Sequence, residues 1–421
     1  MSLVHGHLPE SARRVYELLV DHPGPDTTAA PLAAALDLPE PEATMALQLL
    51  HTARQVVWWP GDRYQLAEHV RQHATHLRDQ QRPSVRTRQR ARLIDFYAAA
   101  AAAAAPLIAP DAHRFSPPVT HEAVPRTPVD ERQAHTWFGW EHRVLRHVAA
   151  AAAGWGWDDV VVELAEAVWH LARPTYHHDD LVHIQQAGHA AAERSHPRIA
   201  AVFRAREAAG LSDLGNHDEA LAAAADDATA AAENNGDPRV AALVHSLSGR
   251  VQLAAGHIEE ASQALHTALR SQRRLAGDPH GHAVLHRRIG QAYLARGRVH
   301  DAIRHLRDSR EEMTRARHPL GAARAAVSLA EALVVAGQPG EAMAELSDAR
   351  SRIGGTGAVR YLAGLDLAAA RTAYHLGDTG ITRRLTDHLI TQLRHAGSAA
   401  TADLNAAAQL RDRLAPPTPS T

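Results

Sequence analysis

Five glycines constrain this chain more than any other feature. Gly215, Gly256, Gly297, Gly337 and Gly377 recur at intervals of 41, 41, 40 and 40 residues. Seven residues before each lies a small side chain: Ala208, Gly249, Gly290, Ala330 and Ala370. Five residues after come Ala220, Ala261, Ala302 and Ala342, with Thr382 breaking the series, and the next turn gives Leu265, Leu306 and Leu346. Small side chains let two helices approach closely, and a glycine between them ends the first by adopting a left-handed backbone. The spacing predicts one antiparallel helix pair per period, each burying its apolar face against its neighbours in a stacked array.

A chain of 421 residues exceeds one ordinary core, and an array meets that limit by growing lengthwise. Aromatics make up 4 % of the chain and the apolar fraction of 45 % is rich in alanine, which predicts an all-α protein with a small β-hairpin. The small–Gly–Ala spacing is the tetratricopeptide (TPR) pattern, here with a period longer than the usual ~34 residues and hence longer helices or loops. The repeats span 200–396 as about five units, the weak last one resembling a cap, with a C-terminal helix and Pro-rich tail over 397–421. Residues 131–199 form a Trp-rich helical region in which 174–195 could be a degenerate repeat.

The N-terminal part follows a different plan. PESARRVYELLV (9–20) sets Val15, Leu18 and Leu19 on one helical face, and PLAAALDL (31–38) makes a second helix. PEATMALQLLHTA (41–53) makes a third, with Met45, Leu49 and Leu50 facing inward. VVWWPGDRYQL (56–66) alternates around Pro60-Gly61-Asp62 as a hairpin does. Three helices and a hairpin predict a winged helix over residues 1–75. A connecting helix follows over 76–109, with Leu93, Ile94, Tyr97, Ala101 and Ala104 on one face and Pro106 as its stop. Its arginines at 86, 88, 90 and 92 form two pairs on opposite sides and no basic stripe. Residues 110–130, dense in proline, read as a linker.

Composition excludes several chemistries. The sequence contains no lysine, so neither a Schiff-base amine nor a P-loop of the form GxxxxGK[ST] can exist here. With Cys 0, thiol catalysis, disulfides and cysteine zinc sites are excluded as well. A net charge of -2 gives no global attraction to nucleic acid or anionic lipid. No signal-like N-terminus or run of about 18 apolar residues is evident, so a soluble, cytoplasmic protein without membrane association is expected.

The order of parts resembles a family, the winged-helix plus TPR portion of actinobacterial STAND-type regulators carrying an NB-ARC nucleotide-binding module. LPESARRVYELLVDHPGPD (8–26), RYQLAEHVRQHA (63–74), RARLIDFYAAAAAAAAPLIAP (90–110) and WFGWEHRVLRHVAAAAAGWGWDDVVVELAEAVW (137–169) carry the resemblance, together with the repeats. The chain starts where the NB-ARC module would end, so nucleotide-driven switching is not expected of it. In that family the winged helix looks like an intramolecular arm.

Function follows from surfaces. The would-be recognition helix opens with Glu40 and Glu42, which repel phosphate, and the wing offers Arg63 beside Asp62, so DNA binding is disfavoured. A TPR array leaves a groove lined by the first helix of each unit. The register places Arg250, Leu253, Arg287, Gln291, Leu294, Arg324, Val327, Glu331, Arg371 and Tyr374 there, where the arginines could hold an acidic peptide or a terminal carboxylate. Among 31 histidines the strongest metal candidate is His178, Asp179 and His183, whose spacing misses the i,i+4 rule. His280 and His282 read as a loop, and no metal or cofactor is expected. Asp158-Asp159 and Asp226-Asp227 read as solvated charge, and no catalytic constellation is found. The expectation is a non-enzymatic regulator that binds a protein or peptide. The alternatives are a DNA-binding regulator with a TPR sensor and an accessory scaffold for a biosynthetic enzyme.

Overall fold

Amphipathic segments closed by left-handed glycines give an almost wholly helical chain with a single hairpin among the described residues. The computed structural model describes residues 7–122, 128–224, 236–275 and 277–414. Asp226, Asp227 and the Pro-rich tail lie outside them. Two compact units are formed, one by residues 1–108 and 116–168, the other by 109–115 and 169–421.

In the first unit α1 (Glu10–Leu18), α2 (Ala29–Leu36) and α3 (Glu40–Thr52) precede β1 (Val56–Trp59) and β2 (Arg63–Leu66). The strands pair antiparallel with Val56 opposite Leu66, and Thr27 and Tyr64 exchange both backbone hydrogen bonds to add a third short edge. Gly61 and Asp62 turn the hairpin at positive φ. Val15, Leu18, Leu32, Leu36, Leu47, Leu50 and Tyr64 fill one core, the packing of a winged helix. One expectation fails here. Met45 and Leu49 face outward, and α3 instead buries Ala43, Ala46, Leu47 and Leu50. Apolarity alone selected the wrong stripe, whereas the close approach of α1 and α2 selects the stripe containing alanines.

Helices α4 (Glu68–Asp79), α5 (Pro83–Ile108), α6 (Glu131–Gly154) and α7 (Asp158–Ala172) follow. The face of α5 made by Leu93, Ile94, Tyr97, Ala101 and Ala104 is buried. Pro106 does not stop α5 but lies within its final turn, where the missing N–H costs a single intrahelical bond. The basic start of α5 is occupied internally: Arg86 pairs with Asp79 at 3.0 Å and Arg90 with Asp21 at 2.5 Å. This is the one helix among the described residues long and apolar enough to cross a membrane, and 56 % of its apolar window is buried. The Pro-rich stretch is anchored, because His121 contacts Asp95 and Glu163, each at 2.7 Å.

The second unit stacks helix pairs. After α8 (His178–Ser195) come the first helices of successive repeats, α9 (Pro197–Asp213), α11 (Pro238–Ala254), α13 (Pro279–Ala295), α15 (Pro319–Val335) and α17 (Val359–His375). Their partners are α10 (His217–Ala223), α12 (Ile258–Gln272), α14 (Val299–Arg315), α16 (Pro339–Ile353) and α18 (Thr379–Leu393), and α19 (Thr401–Asp412) packs on α18. Each of the five spacing glycines has φ between 74° and 85°, and the next residue donates back to the carbonyl five positions earlier, as His257 does to Gln252. At Gly249 a Cβ would lie 2.8 Å from Leu265 Cγ and 3.0 Å from the Ala261 carbonyl, so the small residue is what admits the paired helix. Where the series breaks, Thr382 is fully buried and satisfies its hydroxyl on the Asp378 carbonyl at 2.7 Å.

Candidate functional site: an arginine ring inside the repeat array

The repeat period is 40 to 41 residues, yet Asp213, Arg250, Arg287, Arg324 and Tyr361 recur at a strict interval of 37. The deficit is about one helical turn per repeat. Asp213 ends α9, Arg250 stands one turn inside the end of α11, Arg287 is central in α13, Arg324 lies near the start of α15, and Tyr361 is in the first turn of α17. The series therefore cuts obliquely across the five inner helices. It closes on itself, because Arg360, the neighbour of Tyr361, donates to Asp213 at 2.8 Å. Arg360 also reaches the Arg173 carbonyl at 3.5 Å, and its N–H donates to the Pro174 carbonyl at 3.1 Å.

Charge within this ring is unbalanced. Asp213 accepts from Arg250 and Arg360, and these two arginines hold its carboxyl well below the usual range although burial alone would raise it. Among the described residues the remaining guanidinium groups contact only neutral partners. Arg287 donates to Gln291 at 3.1 Å, Arg288 to the Ser246 hydroxyl, Arg324 lies 5.3 Å over the Tyr361 ring, and Arg173 lies 4.6 Å over Trp169. Arg287 and Arg288 are 7 % and 4 % exposed, and Arg287 Nη2, Arg288 Nε and Arg173 Nε are buried without a hydrogen-bond partner among the described residues. Burial and mutual repulsion push Arg287 and Arg288 well below the ordinary guanidinium range and Arg324 down to about 10. An arginine does not release its proton in a protein, so this pressure is stored as unfavourable electrostatic energy. The same field overcomes the effect of burial at Tyr361 and lowers its phenol, Arg324 contributing most.

The groove positions expected from the repeat register divide into three groups. Arg250, Arg287, Gln291 and Arg324 belong to the ring, Gln291 passing the contact on to Ser328 at 3.0 Å. Leu253 does not offer free groove surface, since it packs against the cluster of Leu265, Leu285 and Ile289 between repeats. Leu294 and Val327 are half-buried. Arg371 stands apart, 3.8 Å from Glu331, whose carboxyl burial raises, and Tyr374 is exposed with its ring edge towards His375. Asp213, Arg173, Arg288, Arg360 and Tyr361 were not read from the sequence, although the interval of 37 was available as the signal for two of them.

The histidine candidates are placed differently from the sequence reading. His178 is fully buried with Nδ1 3.9 Å from Asp213, and burial together with Arg360 pushes it down to about 3. His183 turns away and bonds the Asp179 carbonyl at 2.7 Å, so the three residues do not converge. His280 and His282 lie in the first turn of α13, not in a loop. In the first unit Arg63 is buried in a bidentate pair with Glu141 at 2.6 and 3.1 Å and also bonds Asp26. The wing arginine is thus unavailable to phosphate. Met45, Leu49, Val57, Trp58 and Trp59 are the large apolar side chains that α3 and β1 expose.

No family model matches the chain, and no curated protein matches it. Among solved structures it is similar to a STAND protein with a tetratricopeptide repeat sensor from Pyrococcus horikoshii, at 11 % identity and TM-score 0.44, over 98 % of this chain and 61 % of that one. The chain thus spans less than two thirds of that protein's length. Aspartyl phosphate phosphatase F from Bacillus subtilis gives 11 % identity and TM-score 0.46 over 97 % of this chain and 94 % of that one. A Rap protein complexed with Competence and Sporulation Factor gives 14 % identity and TM-score 0.44 over 61 % and 76 %. None of the three reaches a TM-score of 0.5. The function is therefore argued from the ring itself.

Proposed function

We propose that the chain is a non-enzymatic, cytoplasmic regulatory protein whose TPR array binds a peptide or protein partner presenting an acidic group to the arginine ring. The observation that carries this reading is the charge imbalance: among the described residues Arg173, Arg287, Arg288 and Arg324 have no carboxylate partner within ion-pair distance, while Asp213 is consumed by Arg250 and Arg360. Each uncompensated buried charge costs several kcal/mol, and a fold retains such a cost where an anion repays it. Guanidinium groups match carboxylates bidentately, and a terminal carboxylate or an acidic side chain would find donors from α13, α15 and the turn that follows α7. In the first unit the burial of Arg63 and the apolar face of α3 and β1 favour protein contact over DNA contact.

Fluorescence anisotropy on the full chain tests the proposal, using a labelled octapeptide rich in glutamate, its amidated form and a neutral glutamine twin. Salt-sensitive binding of the acidic peptide, weakened at least tenfold in the Arg287→Gln, Arg324→Gln double variant, is the expected result. Equal binding of acidic and neutral peptides, or of wild type and variant, would sink the reading.

A further inference from the structure

The repeat formed by α13 and α14 carries a second constellation that no sequence spacing revealed. His282 and His286 are one turn apart on α13, and His305 and Asp308 are one turn apart on α14, so each pair shares a helix face. The tight packing of the two helices, enforced by Gly290 against Leu306, brings these faces together. One donor atom each from His286, His305 and Asp308 falls within 4.8 Å of the other two, and His286 Nδ1 is 3.6 Å from an Asp308 oxygen.

Three observations point to a ligand. Among the described residues His286 Nδ1 and His305 Nδ1 are both buried nitrogens without a hydrogen-bond partner, an outcome that a fold usually avoids. The rings are held by their surroundings: Tyr293 stacks on His305 at 5.3 Å and 20°, and His282, anchored on Glu312 at 3.0 Å, lies 4.3 Å from His286. Supporting contacts of this kind orient metal-bound imidazoles. Finally, Asp308 is 48 % exposed, which leaves one side of the cluster open to water or a further ligand.

Donors on a tetrahedral ion at about 2.0–2.2 Å lie roughly 3.3–3.6 Å apart, so drawing in the present arrangement needs only small side-chain rotations. Two imidazole nitrogens and a carboxylate oxygen form a borderline donor set suited to zinc rather than to calcium or magnesium, which take oxygen shells. We propose that His286, His305 and Asp308 bind one zinc-class divalent ion that clamps α13 to α14 within a single repeat. The ion's fourth position faces solvent. The clamp fixes the pitch of α13, the helix that carries Arg287 and Arg288, but its existence does not depend on the partner proposed for the ring.

The test uses the full chain with zinc alone, titrated in competition with a chromophoric chelator, and with cobalt as a spectroscopic substitute. Wild type should bind one equivalent at micromolar or better affinity, gain thermal stability with zinc, and give the visible cobalt band of low-coordinate nitrogen and oxygen ligation. His286→Gln and His305→Gln should each weaken that equivalent by ten- to a hundredfold, and Asp308→Asn to a lesser degree, with unfolding in chelator unchanged. His300→Gln, at an exposed position on α14, controls for the many surface histidines and should leave binding intact. Retention of the tight equivalent in the His286→Gln, His305→Gln double variant, or its equal loss in His300→Gln, would overturn the site. So would zinc binding only in the millimolar range with no cobalt band.

Discussion

Arg360 and Asp213, separated by 147 residues, meet at 2.8 Å and close the inner face of the repeat array. The same carboxylate holds Arg250 from the next repeat along. One acidic side chain thereby fastens the beginning of the array to both its second and its last inner helix. Its removal leaves two guanidinium groups facing a site already rich in positive charge. Loss of one partner from a buried ion pair typically costs about 3–5 kcal/mol. Asp213→Ala should therefore lose stability in that range by urea denaturation. A double-mutant cycle with Arg360→Met should show strong coupling, and a cycle with the distant Arg63→Met none.

The arginines without acidic partners should behave in the opposite way. Replacing Arg287 with methionine removes a buried charge that, among the described residues, is hydrogen-bonded to the neutral Gln291 and in contact with no carboxylate. Similar exchanges of buried charge for well-packed apolar groups are neutral or stabilising by about 1–4 kcal/mol. Arg287→Met should raise the urea midpoint while weakening the acidic peptide, a separation of stability from binding that a purely structural arginine would not show.

Much of this architecture was legible because it rests on steric rules that act locally. Gly256 needs a positive φ wherever the chain turns between two helices, and Ala261 needs a small partner wherever they touch. Such requirements leave a mark at fixed spacing. Leu49 was misplaced because two apolar stripes run along α3, and only tertiary packing selects between them. The ring was half legible. Arg250, Arg287 and Arg324 followed from the repeat register, but Arg360 and Asp213 come together through closure of the array, which no repeat period encodes. His286 and His305 illustrate the same limit, since each belongs to an unremarkable i,i+3 or i,i+4 pair until α13 and α14 are superposed.

The wing supplies a third prediction. Arg63 is 5 % exposed and bonds both Glu141 and Asp26, so its role is to hold the hairpin. Arg63→Ala should destabilise the first unit by roughly 3–5 kcal/mol. Wild type should give no salt-dependent retardation of its own upstream DNA, because this arginine is unavailable to phosphate. Retardation falling steeply with salt would contradict that role.

Gly290 gives a fourth. A Cβ there would stand 2.6 Å from Leu306 Cγ and 3.2 Å from the Ala302 carbonyl. Alanine is better than glycine in a helix by about 1 kcal/mol, but overpacking typically costs 1–3 kcal/mol. Gly290→Ala should therefore be net destabilising, and Gly290→Ala with Leu306→Ala should recover part of the loss. Gly340, beside which no atom lies within 4 Å of an added Cβ, is the matched control, and alanine there should be neutral or stabilising.

Acid should unfold this protein earlier than its carboxylates alone would dictate. Burial holds His22 neutral and pushes it down to about 4, with its Nε2 2.8 Å from the Tyr97 hydroxyl and its Nδ1 accepting from the Gly24 N–H at 3.2 Å. In the unfolded chain its reference value is about 6.5. Between these two values the unfolded state binds a proton that the folded state refuses, so stability is complete above about pH 6.5 and falls as the pH drops towards 4. The shift corresponds to roughly 3 kcal/mol by the lower end of the window. His178, pushed down to about 3 in the second unit, acts in the same direction over a slightly wider range. Asp213 adds to the loss only at lower pH, near the ordinary carboxylate range of about 4, where the unfolded chain begins to bind a proton that the depressed folded carboxyl refuses. Urea midpoints of wild type and His22→Gln at pH 7.0, 6.0, 5.0 and 4.5 separate the contributions. The variant should be less stable at pH 7.0 yet lose stability more slowly, by up to about 1.4 kcal/mol per pH unit for one proton. Parallel curves would show that His22 carries its proton in the folded protein.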